Sequence, residues 1–162
     1  MKIITNVKHL SKKCISLGAD ESQKVSNKMR LWILSKGPLM ENVVGIACNQ
    51  LGLPGRVFLY KKGATWKDVI NPEIISYSDD TVVGPEKCLS VPNKWMQVRR
   101  SVSITISVPC QIVGATPGLC VCLEEEVTGA DAILFQHEID HLDGKLIGQD
   151  HKEVILEGDV AW

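Results

Sequence analysis

The feature that most narrows what this chain can fold into is the pair His137 and His141 in Gln136-His137-Glu138-Ile139-Asp140-His141. Residues four apart on a helix stand one turn apart on one face, so both imidazoles reach a common ion only if this stretch is helical. The flanking residues agree. Ala130, Ile133, Leu134, His137 and His141 form one stripe at helical spacing, and Phe135, Ile139 and Leu142 form a second. Two apolar stripes predict a helix over about 129–142 packed on more than one side, with Thr128 as its N-cap and Gly144 as its stop. Burying two imidazoles without partners is costly, so metal binding outweighs simple core packing for this pair. Glu138 leans toward the same site and is placed to take a proton from water there. A catalytic ion of this kind needs a third protein ligand. His9 and His151 lie in the N-terminal segment and the tail. Cys88, in Gly84-Pro85-Glu86-Lys87-Cys88-Leu89-Ser90, is better placed, at a loop-to-strand junction, but taken alone it reads equally as a core thiol.

The rest of the chain predicts one α+β domain over residues 1–162, since 162 residues make a single core and no linker or repeat divides them. A first helix is expected over 20–36, with Asp20 and Gln23 as a capping box and Gly37-Pro38 as the stop. Strands are expected at Val43–Cys48, Arg56–Tyr60, Glu73–Tyr77, Val102–Val108 and Leu119–Val127, short and mostly antiparallel, wrapped around the C-terminal helix. The net charge of −1 argues against a broad basic surface for nucleic acid or anionic lipid. The apolar runs are far shorter than the roughly 20 residues of a membrane span, and the N-terminus carries no apolar stretch of the secretory kind. The six cysteines are therefore read as reduced thiols, with Cys110, Cys120 and Cys122 as core packing.

Three segments in register resemble the peptide deformylases. Val43-Val44-Gly45-Ile46-Ala47-Cys48-Asn49-Gln50, followed by Leu51-Gly52, is similar to the family's glycine-rich first motif ending in Gln. Glu86-Lys87-Cys88-Leu89-Ser90 is similar to its second motif, and His137-Glu138-Ile139-Asp140-His141, followed by Leu142 to Leu146, to its third. Val69-Ile70-Asn71-Pro72-Glu73 between them is also family-like, so the resemblance covers about residues 40–147. It implies the deformylase fold and the hydrolysis of the formyl group from N-formyl-methionyl peptides of newly made proteins, releasing formate. It implies Cys88, His137 and His141 as ligands of one divalent ion, Fe²⁺ natively, with Zn²⁺, Ni²⁺ or Co²⁺ able to substitute. It implies Glu138 as the group that moves the proton to the leaving amine, and Gln50 with the Leu89 backbone N–H as donors to the oxyanion. Such donors are commonly worth about 2.7–4 kcal/mol each. Gly45 would let the substrate lie close as an added strand. Val44, Glu86, Ile133, Leu134 and the His137 ring would form the methionine pocket. The expected setting is the cytoplasm of a bacterium or of a virus-infected bacterium.

Some positions depart from the family pattern. Val43 replaces a common Gly, Cys48-Asn49 a common Ala-Pro, and Lys87 the Gly or Ala before the cysteine; Trp95 stands near where many bacterial members have an Arg that contacts substrate. None removes a ligand, Glu138 or Gln50, so they bear on pocket shape and peptide preference. Two other readings compete. A general HExxH metallopeptidase is disfavoured by the thiolate ligand and the Gln50 motif. A structural metal domain needs neither Glu138 nor Gln50, and would close its site with a fourth protein ligand. The stretch 142–162 holds Lys145 and Lys152 against Asp143, Asp150, Glu153, Glu157 and Asp159, and resembles short deformylases that lack the basic C-terminal extension. No docking of this tail on the ribosome is expected, because binding a phosphate-rich surface depends on cationic neutralisation. Val154, Ile155 and Leu156 are expected to pack back on the domain.

Overall fold

In a computed structural model the chain is described over residues 1–112, 120–148 and 152–154. The main helices are α1 (Val7–Leu10), α2 (Ala19–Lys36) and α3 (Gly129–Leu142). The strands are β1 (Gly45–Ala47), β2 (Val57–Lys62), β3 (Thr65–Ile70), β4 (Glu73–Tyr77), β5 (Thr81–Cys88), β6 (Val91–Ser101), β7 (Ser103–Ile112), β8 (Cys120–Thr128) and β9 (Lys152–Val154). They form three antiparallel three-stranded sheets, ordered β1-β2-β3, β4-β7-β8 and β5-β6-β9. The α+β class and the antiparallel sheets around α3 are as the sequence predicts.

α3 is the element that the sheets share. Its Ala132, Phe135, Ile139 and Leu142 enter the main core with Met29 and Ile33 of α2, Ile46, Phe58 and Leu59 of the first sheet, and Ile104 and Ile106 of β7. Phe58 and Tyr60 meet the edge of the Phe135 ring at centroid separations of 5.0 and 4.8 Å, which fixes the roll of α3 against β2. A second cluster of Leu10, Cys88, Met96, Val98, Leu146 and Ile147 lies under the β5–β6 hairpin. Gly144 ends the helix as expected. It has φ of 75°, and a Cβ there would lie 2.7 Å from the Ser11 carbonyl oxygen, so both backbone conformation and the N-terminal segment require glycine.

Several local expectations are corrected. α2 begins at Ala19 on Gly18, which makes no side-chain cap, so Asp20 and Gln23 are not a capping box; Asp20 lies inside the first turn, where its charge suits the helix dipole. Thr128 does precede α3 in extended conformation, but without a side-chain cap bond. The first predicted strand shrinks to Gly45–Ala47, and Cys48 instead opens a 3-10 turn, Cys48–Leu51. β3, β5, β6 and β9 were not foreseen. β5 and β6 contain Gly84-Pro85 and Pro92-Asn93, which read locally as turns, yet both strands are held by one long hairpin. In the β6–β9 pairing Val154 stands opposite Trp95. Ile155 and Leu156, and the side chains of Cys110, Cys120 and Cys122, lie outside the described residues.

Candidate metal centre

The site forms where the end of β5, the 3-10 turn after β1 and one face of α3 converge. Alternation along β5 turns Glu86 and Cys88 inward and leaves Lys87 outside, over the Trp95 ring at 5.2 Å. Cys88 sits at the tight end of the hairpin, paired with Val91. Helical spacing brings His137 and His141 to the same point, their rings 5.0 Å apart. The sulfur and one nitrogen from each histidine all lie within 4.8 Å of one another, and Cys88 Sγ is 3.1 Å from His141 Nε2. The reading of Cys88 as a lone core thiol gives way to a three-donor cluster.

The cluster fits a divalent ion by its chemistry. Cys88 Sγ accepts from the Ser90 N–H at 3.4 Å and from Gln50 Nε2 at 3.5 Å, two donors of the kind that support a thiolate. His137 Nδ1 donates to Glu86 Oε2 at 2.8 Å, which orients the ring and leaves Nε2 for the ion. Burial pushes the Glu86 carboxyl up, but hydrogen bonds from His137 and Arg100 outweigh it and hold it down to about 2. Burial alone would lower His137; its hydrogen bonds with Cys88 and Glu86 reverse this and raise it well above the usual range. His141 is driven well down by burial, and so stays neutral, the form that can donate to an ion. Soft thiolate with two imidazoles suits Fe²⁺, Zn²⁺, Ni²⁺ or Co²⁺ alike.

Glu86 itself is buried. Its carboxylate takes Arg100 Nε at 2.8 Å and Nη2 at 3.0 Å, and Arg100 Nη1 continues to Asp140 Oδ2 at 2.5 Å. This places the Glu86 carboxylate between Arg100 and the Nδ1 side of the His137 ring. Arg100 and Asp140 were missed as site residues. The signal for Arg100 was present: Met96, Val98 and Arg100 alternate onto the inner face of β6. Asn49, which reads as turn chemistry, donates from Nδ2 to the His141 carbonyl at 2.6 Å and ties the 3-10 turn to α3.

Gln50 is 2% exposed, its Oε1 held by the Ala47 N–H at 2.9 Å and its Nε2 aimed at Ser90 Oγ at 3.1 Å and at Cys88. Glu138 is buried, and its Oε2 makes no hydrogen bond among the described residues. Burial raises its carboxyl to about 7, with Glu86 adding to the rise against the pull of His137. Gly45 lies against it: a Cβ at that position would overlap Glu138 Oε1 and stand 2.7 Å from Leu134 Cδ1. Val44 and Leu89, each 37% exposed, stand at the rim, and Ile133 is half-buried one turn before His137. Val43, Lys87 and Trp95 lie outside the donor cluster, Val43 packed against the main core.

The chain matches the polypeptide deformylase family over residues 2–154, and it belongs to that family. A peptide deformylase of Thermotoga maritima is 40% identical over 104 residues, 64% of this chain and 59% of the relative, so the match spans about three fifths of that relative's length. The peptide deformylase of Pseudoalteromonas translucida is 35% identical over 136 residues, covering 79% of this chain and 75% of the relative. Among solved structures, the peptide deformylase of the Vibrio parahaemolyticus bacteriophage VP16T, in complex with actinonin, superposes with a TM-score of 0.71 at 26% identity, covering 91% of this chain and all of that one. The class I type b enzyme of Acinetobacter baumannii gives the same score at 27% identity, covering 90% and 95%.

Proposed function

We propose that this chain, as one catalytic domain over residues 1–162, removes the formyl group from N-formyl-methionyl peptides and releases formate. The observation that carries the reading is Glu138, a buried carboxylate with an unpartnered oxygen, set between the Cys88-His137-His141 cluster and the open edge strand β1. Cys88, His137 and His141 hold a divalent ion, Fe²⁺ natively, with Zn²⁺, Ni²⁺ or Co²⁺ as substitutes. When bound, that ion supplies Lewis acidity toward the attacking water and the formyl oxygen.

The protein's own groups do the rest. Among the described residues β1 pairs with β2 on one side only, so an extended peptide adds to its other edge, with Gly45 letting the main chain approach. Val44, Ile133, Leu134 and the His137 ring flank the methionine side chain. Glu138 Oε2 takes the proton of the attacking water and delivers it to the departing amine nitrogen; a carboxyl raised by burial toward neutrality is suited to both transfers. Gln50 Nε2 and the Leu89 N–H stabilise the negative oxygen of the tetrahedral centre, and Gln50 is preorganised for this by its bonds to Ala47 and Ser90. Glu86, Arg100 and Asp140 keep His137 in its ligating tautomer.

The substrates are nascent or released formylated chains in the cytoplasm of a bacterium or a virus-infected bacterium. No helix among the described residues is long and apolar enough to cross a membrane. No direct nucleic acid binding and no tail-mediated ribosome docking are part of the proposal. The deciding experiment measures formate released from a formyl-Met peptide, beside its acetylated and unmodified forms, with the metal-loaded chain. Release from the formylated peptide alone is expected. Cleavage of internal bonds in all three would replace the reading with a general metallopeptidase.

A further inference from the structure

Gln50 and His141 reach the donor cluster from two separate elements, the 3-10 turn Cys48–Leu51 and the end of α3. Their polar atoms meet at one sulfur: Cys88 Sγ lies 3.5 Å from Gln50 Nε2 and 3.1 Å from His141 Nε2. The relation of turn to helix therefore sets where the Gln50 amide stands against the other donors. Gln50 Oε1 is held by the Ala47 N–H, and the Gln50 carbonyl by the Ile4 N–H at 2.8 Å, but neither bond reaches α3. Among the described residues, the side-chain hydrogen bond that crosses from the turn to α3 is made by Asn49. Its Nδ2 donates to the His141 carbonyl at 2.6 Å, joining residues 92 apart in sequence.

Packing alone does not account for an asparagine there. Asn49 is 5% exposed, and its buried Oδ1 makes no hydrogen bond among the described residues. An apolar side chain of the same shape would carry no such unmet oxygen. The His141 carbonyl does not depend on Asn49 either, since it also accepts the Gly144 N–H at 3.1 Å. The bond is thus dispensable to the helix end, yet it is kept at the expense of a buried polar atom.

We propose that Asn49 is a positioning residue: its amide locks the turn to the His141 peptide and so fixes Gln50 Nε2 against the Cys88-His137-His141 cluster. Asn49 acts through Gln50, and it is the Gln50 amide that faces the reacting oxygen. The catalytic consequence rests on the deformylase reading, whereas the placement of Gln50 against Cys88 does not.

The test is a double-mutant cycle on the full chain loaded with Co²⁺: wild type, Asn49→Leu, Gln50→Ala and the double variant. Asn49→Leu nearly keeps the side-chain shape while removing both the donor and the unmet oxygen. It is expected to hold as much metal as wild type and to melt no lower. Gln50 Nε2 approaches the Cys88 sulfur, so its displacement is expected to shift the sulfur-to-cobalt charge-transfer band. The double variant is then expected to match Gln50→Ala alone. With a formyl-Met peptide, Asn49→Leu is expected to lower kcat by about tenfold with KM nearly unchanged. In the Gln50→Ala background the same change is expected to cost almost nothing, because the two residues act as a unit. Asn49→Ala, which adds no bulk, repeats the cycle should Asn49→Leu overfill the site. An unchanged band and kcat overturn the proposal. So do effects that multiply independently in the double variant, or a lowered melting temperature with kcat per bound ion unchanged, which is what a merely structural bond would give. If the wild-type chain releases no formate, the deformylase reading fails, and the band cycle still decides the role of Asn49.

Discussion

Glu138→Gln changes one oxygen of a buried carboxylate into an amide nitrogen and leaves the cluster donors in place. The variant is expected to bind metal and melt normally while kcat falls by at least ~10². Near-normal turnover in metal-replete protein would remove Glu138 from the proton path. Gln50→Ala is expected to lower kcat with little change in KM, because its donor matters chiefly as charge develops on oxygen; an effect confined to KM would make it a ground-state contact. At this scale much of the site was legible. The i, i+4 histidines and Glu138 follow from helical geometry, and Cys88 needed only a motif to single it out. The pairing of Glu86 with Arg100 was not legible, because a carboxylate beside the second motif carries no local sign of its partner. Arg100 comes from β6, fourteen residues away, and only the fold shows that the two share an inner face.

At the scale of elements, α3 and β1 pack so closely at Gly45 that there is no room for a methyl group. Gly45→Ala is expected to displace Glu138 or Leu134 and to reduce kcat/KM by at least ~10-fold while the chain stays folded, read by parallel activity and circular dichroism. Activity equal to wild type would mean that helix and strand can part at no cost. The β5–β6 hairpin carries the departures at Lys87 and Trp95, stacked on its outer face. Formyl-Met is expected to remain preferred, with altered tolerance for the residues that follow; a peptide library showing no methionine preference would contradict the pocket assignment. The hairpin itself escaped the sequence because Pro85, Pro92 and Asn93 punctuate it. Asn93 takes φ of 62° within β6, a conformation that Asn tolerates and that local reading assigns to a turn. α2 and α3, by contrast, declare themselves through long apolar periodicity that no neighbour has to complete.

For the whole molecule, the buried Glu86–Arg100 pair links the stability of the fold to acidity. The folded-state carboxyl is depressed from 4.5 to about 2, so its stabilising contribution is present above about pH 4.5 and is lost as the pH falls toward 2. Thermal melts are expected to show this acid loss, and Glu86→Gln to flatten it while destabilising the chain at neutral pH by up to about 3–5 kcal/mol, since the buried Arg100 then keeps only the partly exposed Asp140 as charge partner. A Glu86→Gln variant as acid-sensitive as wild type would contradict this.

The donors for the ion come from two separate parts of the architecture, Cys88 from the end of a hairpin and the two histidines from the helix around which the sheets are arranged. An ion at that junction behaves thermodynamically as a cross-link whose strength is set by mass action. If the unfolded chain does not bind it, free metal at a hundred times its dissociation constant adds about 2.7 kcal/mol to unfolding. The melting temperature of this protein should therefore climb logarithmically with free Ni²⁺ or Zn²⁺, fall on chelation, and lose that dependence in Cys88→Ala. A cell short of metal would then hold less of the folded protein, as well as less of its activity.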